Sequence, residues 1–184
     1  NLCIGQGEIT VTPLQMAVMT SAIANGGKII QPRLLLAVSS LNENNQNYSI
    51  KVPRKVIKNL NLKNETVSLL HKAMLADVDD RDGSGRGARV SGISIGGKTG
   101  TAQKQVPTGK FSTKTGSRLF RMDHITWFVS FAPVESPKYV VVVMVESGAS
   151  GGKICAPIAG KVYRAIQKLE KNKNKGETKL ALRL

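Results

Sequence analysis

The sequence predicts an α+β fold in which an antiparallel β-sheet is flanked by helices, and three observations carry that expectation. A helix with start and stop signals stands near the beginning of the chain; three strand-like runs follow one another between residues 92 and 146; an amphipathic helical stripe comes directly after them.

The first helix is announced by Thr12 and Gln15, the two halves of a capping box, with Pro13 at the first helical position. Leu14, Met16, Ala17, Val18 and Ile23 supply its apolar faces, and Gly26 and Gly27 stop it after about three turns. Residues 29–38 read as extended and apolar, and the Asn-rich stretch 42–47 as a turn. Val67, Leu70, Met74 and Val78 recur at spacings of three and four, which predicts a second helix over 65–78. The Gly-rich DRDGSGRGA that follows lacks the Lys-Ser/Thr of a phosphate-binding loop and reads as a structural turn.

Strands are expected at 92–106, 125–132 and 139–146. The last two are joined by PVESPK and should form an antiparallel hairpin. Ile158, Val162, Ile166 and Leu169 then mark a helix over 156–169 that lies on the sheet. The division expected is a folded unit over 1–170 and a basic, disordered tail over 171–184. The chain opens at Asn1 and runs at once into a helix entry signal, as a sequence cut inside a folded unit would.

The formal charge is +15, of which six basic and two acidic residues fall in 168–184. With much of the charge in that tail and in the basic segment 104–121, and with 4% aromatic residues to stack on bases, nucleic-acid binding has charge as its only support. A solvated tail and loop explain it, and no nucleic-acid partner is expected. Cys3 and Cys155 are too few and too far apart for a metal or redox motif and read as small buried hydrophobes; His71 and His124 sit in unrelated contexts. No metal or cofactor is called for. No apolar run approaches the roughly 20 residues of a membrane span.

Lys98-Thr99-Gly100 places a cation, a hydroxyl and a residue without a side chain along one strand, and Thr101 repeats the hydroxyl on the same face two residues on. A second copy, Lys114-Thr115-Gly116, lies among turn residues and reads as loop. Ser150-Gly151-Gly152-Lys153 has the spacing of a Ser-x-x-Lys nucleophile motif, but its glycines oppose the helical turn that sets Lys beside Ser. Ser40-Leu41-Asn42 has the spacing of Ser-x-Asn but leads into the Asn-rich turn, and reads as loop.

The blocks IGQGEITVTPLQMA, GGKTGTAQ, WFVSFAP and VVVVMVESGASGGKICAPIAGKVY, with the Gly-rich turn after the first, occur in an order that resembles the second half of the transpeptidase domain of class B penicillin-binding proteins. The first block is most similar to the penicillin-binding protein 2 branch, which serves elongation. The resemblance implies the penicillin-binding and serine β-lactamase-like fold, and D,D-transpeptidation of peptidoglycan stem peptides through an acyl-serine. Its Ser-x-x-Lys and Ser-x-Asn elements are expected before residue 1.

Carried onto this chain, Lys98 shapes the electrostatics near the serine, Thr99 and Thr101 hold the carboxylate of a stem peptide or β-lactam, and the Thr101 amide is one oxyanion donor. Gly100 leaves room for close approach, and Gln103 touches substrate at the strand's end. Residues 105–123 would be the loop that follows this strand, and Trp127, Phe128 and Pro157 would be scaffold. The implied partners are stem peptides, β-lactams and the elongation machinery. The implied location is the extracytoplasmic face of the inner membrane, with an anchor before residue 1. A serine β-lactamase or β-lactam sensor shares Lys-Thr-Gly and is the alternative that the residues leave open.

Overall fold

The computed structural model describes residue 7 and residues 9–41, 47–113 and 115–181. Cys3, Lys114 and most of the expected Asn-rich turn lie outside the described residues.

Helix α1 spans Pro13–Ala24 and begins as its sequence requires: Gln15 N donates to Thr12 Oγ1 at 3.2 Å while Thr12 N donates to Gln15 Oε1 at 2.8 Å. The extended stretch after it divides into short strands, β1 (Lys28–Ile30), β2 (Ala37–Leu41), β3 (Asn47–Lys51) and β4 (Val56–Asn59), paired β1 with β4 and β2 with β3. Ser40 and Leu41 therefore lie in a strand, with Ser40 opposite Tyr48, where a loop is expected from the sequence. Hairpin pairing satisfies backbone groups that a loop would leave to water. Helix α2 spans Asn64–Asp79.

The central sheet has the order β5-β6-β7, with β5 at Gly96–Phe111, β6 at Arg118–Ala132 and β7 at Tyr139–Glu146, antiparallel throughout. One face carries Val129, Phe131, Val140 and Val142 against Met16, Ile23 and Ala24 of α1 and Met74 of α2. The other carries Phe128, Val141, Val143 and Val145 against Cys155 and helix α3 (Ala156–Ala181), whose Ala156, Ala159 and Tyr163 are fully buried. Alternation along β6 thus feeds two cores. Cys155 is buried, as its composition suggests, with its thiol 3.3 Å from the Thr126 carbonyl. His71 is scaffold: its Nε2 lies 3.0 Å from the Ile23 carbonyl oxygen and its ring packs on Phe131.

Three expectations change. Strand β5 starts at Gly96 rather than 92, because the left-handed Gly92 (φ +80°) makes a turn bridged by Val90 and Ile93. Residues 105–123 are not a loop: β5 and β6 stay in register through Val106 with Arg121 and Pro107 with Phe120, and the hairpin closes through Ser112 N to Ser117 O at 2.8 Å. Proline is tolerated because β5 is an edge strand. Beyond Pro107 the arm gives no burial-driven alternation to read, since both of its faces meet solvent. Finally, α3 continues to Ala181, past the expected end at 169. Most residues there, Lys, Glu, Leu and Ala, are good helix formers, and Gly176 alone costs about 1 kcal/mol.

Among the described residues, no helix is long and apolar enough to cross a membrane.

Candidate active site

Gly96 and Gly97 fix how β5 enters the site. A Cβ on Gly97 would stand 2.3 Å from the Phe128 ring, and one on Gly96 would stand 3.0 Å from the Phe131 ring on the opposite face. The two rings are fully buried, one in each of the two cores that β6 feeds, so Gly97 admits no side chain and Gly96 barely one while β5 lies flat on β6. Lys98, Thr99, Gly100 and Thr101 follow on this clamped edge strand.

The register sets their faces. Lys98 pairs with Val129 and Gly100 with Trp127, on the α1/α2 side; Thr99 pairs with Phe128 and Thr101 with Thr126, on the α3 side. The two hydroxyls share a face, as the period of two predicts, and the ammonium is on the other. They can address one ligand only at the rim of the sheet, where among the described residues β5 has no further strand beside it.

Backbone directions follow from the wide turn Gly151–Cys155 that leads into α3. A Cβ on Gly151 would be 2.2 Å from the Trp127 carbonyl oxygen, 2.8 Å from the Gly100 carbonyl oxygen and 3.2 Å from the Gly100 nitrogen. Gly100 therefore turns its own N–H and C=O inward toward Trp127. In an antiparallel ladder the neighbouring residues turn theirs the other way, so Thr99 and Thr101 present amide and carbonyl at the open edge. Consistent with this, Lys98 Nζ donates to the Thr99 carbonyl at 3.2 Å. Lys98 is exposed and has no carboxylate partner among the described residues. Gln103, exposed on the same face as the threonines, stands opposite His124.

Beside the strand, on the Lys98 side, lies a cavity of about 380 Å³ lined by Met16, Ile23, Leu70, Met74, Lys98 and Trp127, among others. Lys98 and Thr99 are the polar residues of a lining that is otherwise apolar or glycine. Trp127 thus borders the site, while Phe128 is fully buried scaffold. Pro157 also packs, 2.8 Å from where a Cβ on Gly87 would stand.

Gly151 and Gly152, between Ser150 and Lys153, lie against β5, but Ser150 Oγ accepts from Lys153 N at 3.2 Å and serves as the cap of the turn. That turn is helical despite its glycines, because Gly151 and Gly152 alone fit there: a Cβ on Gly152 would lie 2.3 Å from the Ser84 carbonyl oxygen. Thr115 and Gly116 of the second Lys-Thr-Gly copy sit in the turn of the exposed arm, where Gly116 is left-handed (φ +65°).

Sequence reasoning missed one residue at the site. Ser84 Oγ lies 2.6 Å from Thr99 Oγ1 and donates to Asp77 Oδ1 at 2.7 Å. The signal was present in DGSGRGA: Gly83, Gly85 and Gly87 each lack room for a side chain, which marks a loop pressed between α2, β6 and α3 that presents Ser84 to β5.

The family described as the penicillin binding protein transpeptidase domain matches residues 2–164. Stage V sporulation protein D of Bacillus subtilis is 34% identical over 164 residues, which cover 87% of this chain and 23% of that protein. The peptidoglycan D,D-transpeptidase MrdA of Acinetobacter baumannii is 33% identical, with 89% and 23% covered. Among solved structures, the imipenem acyl-enzyme of penicillin-binding protein A from M. tuberculosis superposes with a TM-score of 0.64 at 27% identity, over 89% of this chain and 32% of that one. The chain belongs to the penicillin-binding protein transpeptidase family. It spans about a quarter of the length of these curated relatives.

Proposed function

We propose that this chain forms the carboxylate-binding and oxyanion side of a serine D,D-transpeptidase centre that cross-links peptidoglycan stem peptides on the extracytoplasmic side of the membrane. The observation that carries the reading is the open edge of β5, where the Lys98 ammonium and the outward Thr101 amide stand at one rim beside an apolar cavity. Acyl transfer needs a serine nucleophile, a cation near it, donors for the developing oxyanion and an anchor for the substrate's terminal carboxylate. Lys98 fits the second need, the Thr101 amide the third, and Lys98 with the threonine hydroxyls the fourth. The nucleophile is assigned to residues outside these 184, approaching over the cavity, because Ser150 is committed as a cap and Ser84 to Asp77.

In this scheme the serine oxygen attacks the penultimate D-alanine carbonyl, the carbonyl oxygen gathers charge at the β5 edge, and the terminal D-alanine leaves. An amine of a second stem peptide then releases the acyl group. A β-lactam enters by the same route, with its carboxylate on the same anchors. Removing one preorganised electrostatic partner from such a site costs about 10²- to 10³-fold in rate.

The test is covalent labelling by a fluorescent penicillin. The full-length protein is expected to label stoichiometrically, Lys98→Ala about a hundredfold more slowly, and the 184-residue chain by itself not at all. Labelling of the isolated chain would place the nucleophile within it and overturn the assignment.

A further inference from the structure

We propose that the outer β5–β6 arm is a docking surface for the peptidoglycan polymer itself, an anionic glycopeptide whose reacting stem peptide lies at the Lys98–Thr101 rim. The inference rests on the transpeptidase reading and extends that site along the strand that carries it.

The arm has two charge zones. From 104 to 122 the sequence holds five basic residues and no acidic one. At the base the cations are paired: Lys104 Nζ meets Glu146 Oε2 at 3.2 Å, and Arg121 Nη2 meets Asp123 Oδ2 at 3.4 Å. Ser147 Oγ donates to that same Asp123 oxygen at 2.6 Å. Further out, Lys110 and Arg118 are exposed and have no carboxylate partner among the described residues. Unpaired cations on a ribbon without acids favour an anionic partner, over a range of about 8 Å at physiological salt.

The second observation is apolar. Phe111, Leu119, Phe120 and Met122 are exposed on the same arm, where a ribbon that met only water would carry polar side chains. The register puts Pro107, Phe120 and Met122 on the face of Thr99 and Thr101. The ribbon is braced without a core: Thr108 Oγ1 donates to the Leu119 carbonyl at 3.0 Å, and Ser112 N to the Ser117 carbonyl at 2.8 Å. Apolar side chains on a braced ribbon give contact area to a ligand with little ordering left to do on binding.

Continuity and length select the occupant. One strand, Gly96–Phe111, carries both the rim and the arm. Lys110 lies up to about 30 Å beyond Thr101 along an extended strand. A peptide of about five residues reaches at most about 17 Å, so a stem peptide anchored at Thr101 does not touch the tip, and a penicillin falls further short. The polymer to which that peptide is attached does reach it. Neighbouring stem peptides carry free carboxylates for Lys110 and Arg118, and sugar rings have apolar faces that pack on aromatic side chains.

The experiment takes two readings on the full-length protein. Acylation by a fluorescent penicillin reads the rim; co-sedimentation of the penicillin-acylated protein with purified insoluble peptidoglycan reads the arm, because the catalytic centre is then already occupied. Lys110→Glu with Arg118→Glu is expected to leave acylation within about twofold and to weaken sedimentation about tenfold at about 50 mM salt. Raising the salt to about 300 mM should remove most of that difference. Phe111→Ala with Phe120→Ala should weaken sedimentation about fivefold at either salt, since apolar contact is not screened. Sedimentation unchanged in either double variant would overturn the proposal. So would acylation that falls in step with sedimentation, because the arm would then act by distorting the rim. Soluble peptidoglycan fragments should release the sedimented protein. If polyglutamate or phosphatidylglycerol micelles release it equally well at equal charge, the arm fits an acidic protein or a membrane and the proposal falls. Failure of the unmodified protein to label sinks the transpeptidase reading and this inference together, whereas full labelling without arm-dependent sedimentation sinks this inference alone.

Discussion

The inner and outer halves of the β5–β6 ladder are one continuous pairing of the same two strands, yet they live in different surroundings. Inside, Gly96 to Ala102 face Ile125 to Phe131 between two helical layers, and Phe128 and Phe131 are fully buried. Outside, the arm beyond Gln103 carries Phe111, Phe120 and Met122 at 60%, 56% and 53% exposure. Backbone hydrogen bonding is therefore enough to carry a ladder past its core, but burial is what holds side chains in fixed positions. The site belongs to the inner half, where the glycine clamp and the Ser84 contact fix β5.

The sharpest way to break the comparison is to delete one phenylalanine from each half of β6. Phe128→Ala should cost about 3–5 kcal/mol in urea unfolding of the full-length protein, because it empties a packed ring site. Phe120→Ala should change stability by less than about 0.5 kcal/mol. A comparable loss at Phe120 would show that the arm packs against something in the full protein.

Gly97→Ala comes next. With the Phe128 ring in the place of the new methyl group, β5 must shift or the ring must move, at about 1–3 kcal/mol. Because Lys98 follows directly, the fluorescent-penicillin rate should fall by more than the loss of folded protein explains. Retained acylation would separate the clamp from the site.

A pH measurement reads the inner core from its far side. Tyr163 is fully buried and donates to Ser130 Oγ at 3.0 Å; burial pushes its phenol up to about 12, with the hydrogen bond partly opposing. The raised value means that the folded protein keeps a proton the unfolded chain releases near pH 10. Its contribution is thus complete below pH 10 and fades as pH rises toward 12. Stability should decline by about 2 kcal/mol over that window and less steeply in Tyr163→Phe. Equal slopes in the two proteins would mean that the phenol is not shielded. The carboxyl of Asp123, at the base of the arm, is instead held below its usual range by hydrogen bonds from Ser147 and the His124 amide.

The same contrast explains what could be read in advance. Helix α1, α2, β7 and the start of α3 were legible because their signals are local: a capping box, a spacing of three and four, a run of valines. The arm was not, because a ladder that buries neither face leaves no period in the sequence. The extension of α3 was missed for a related reason, since a charged, solvated helix and a charged tail have nearly the same composition.

By itself the sequence determined the Lys-Thr-Gly strand, the common face of Thr99 and Thr101, and the family, through ordered blocks that no single tripeptide could replace. The tertiary structure alone decided which edge of β5 is open, that Ser84 from a loop 15 residues upstream reaches Thr99, and that Ser150 is a cap. The physical reason is that hydrogen-bond direction and strand-edge exposure depend on what packs from other elements, and no local pattern records them.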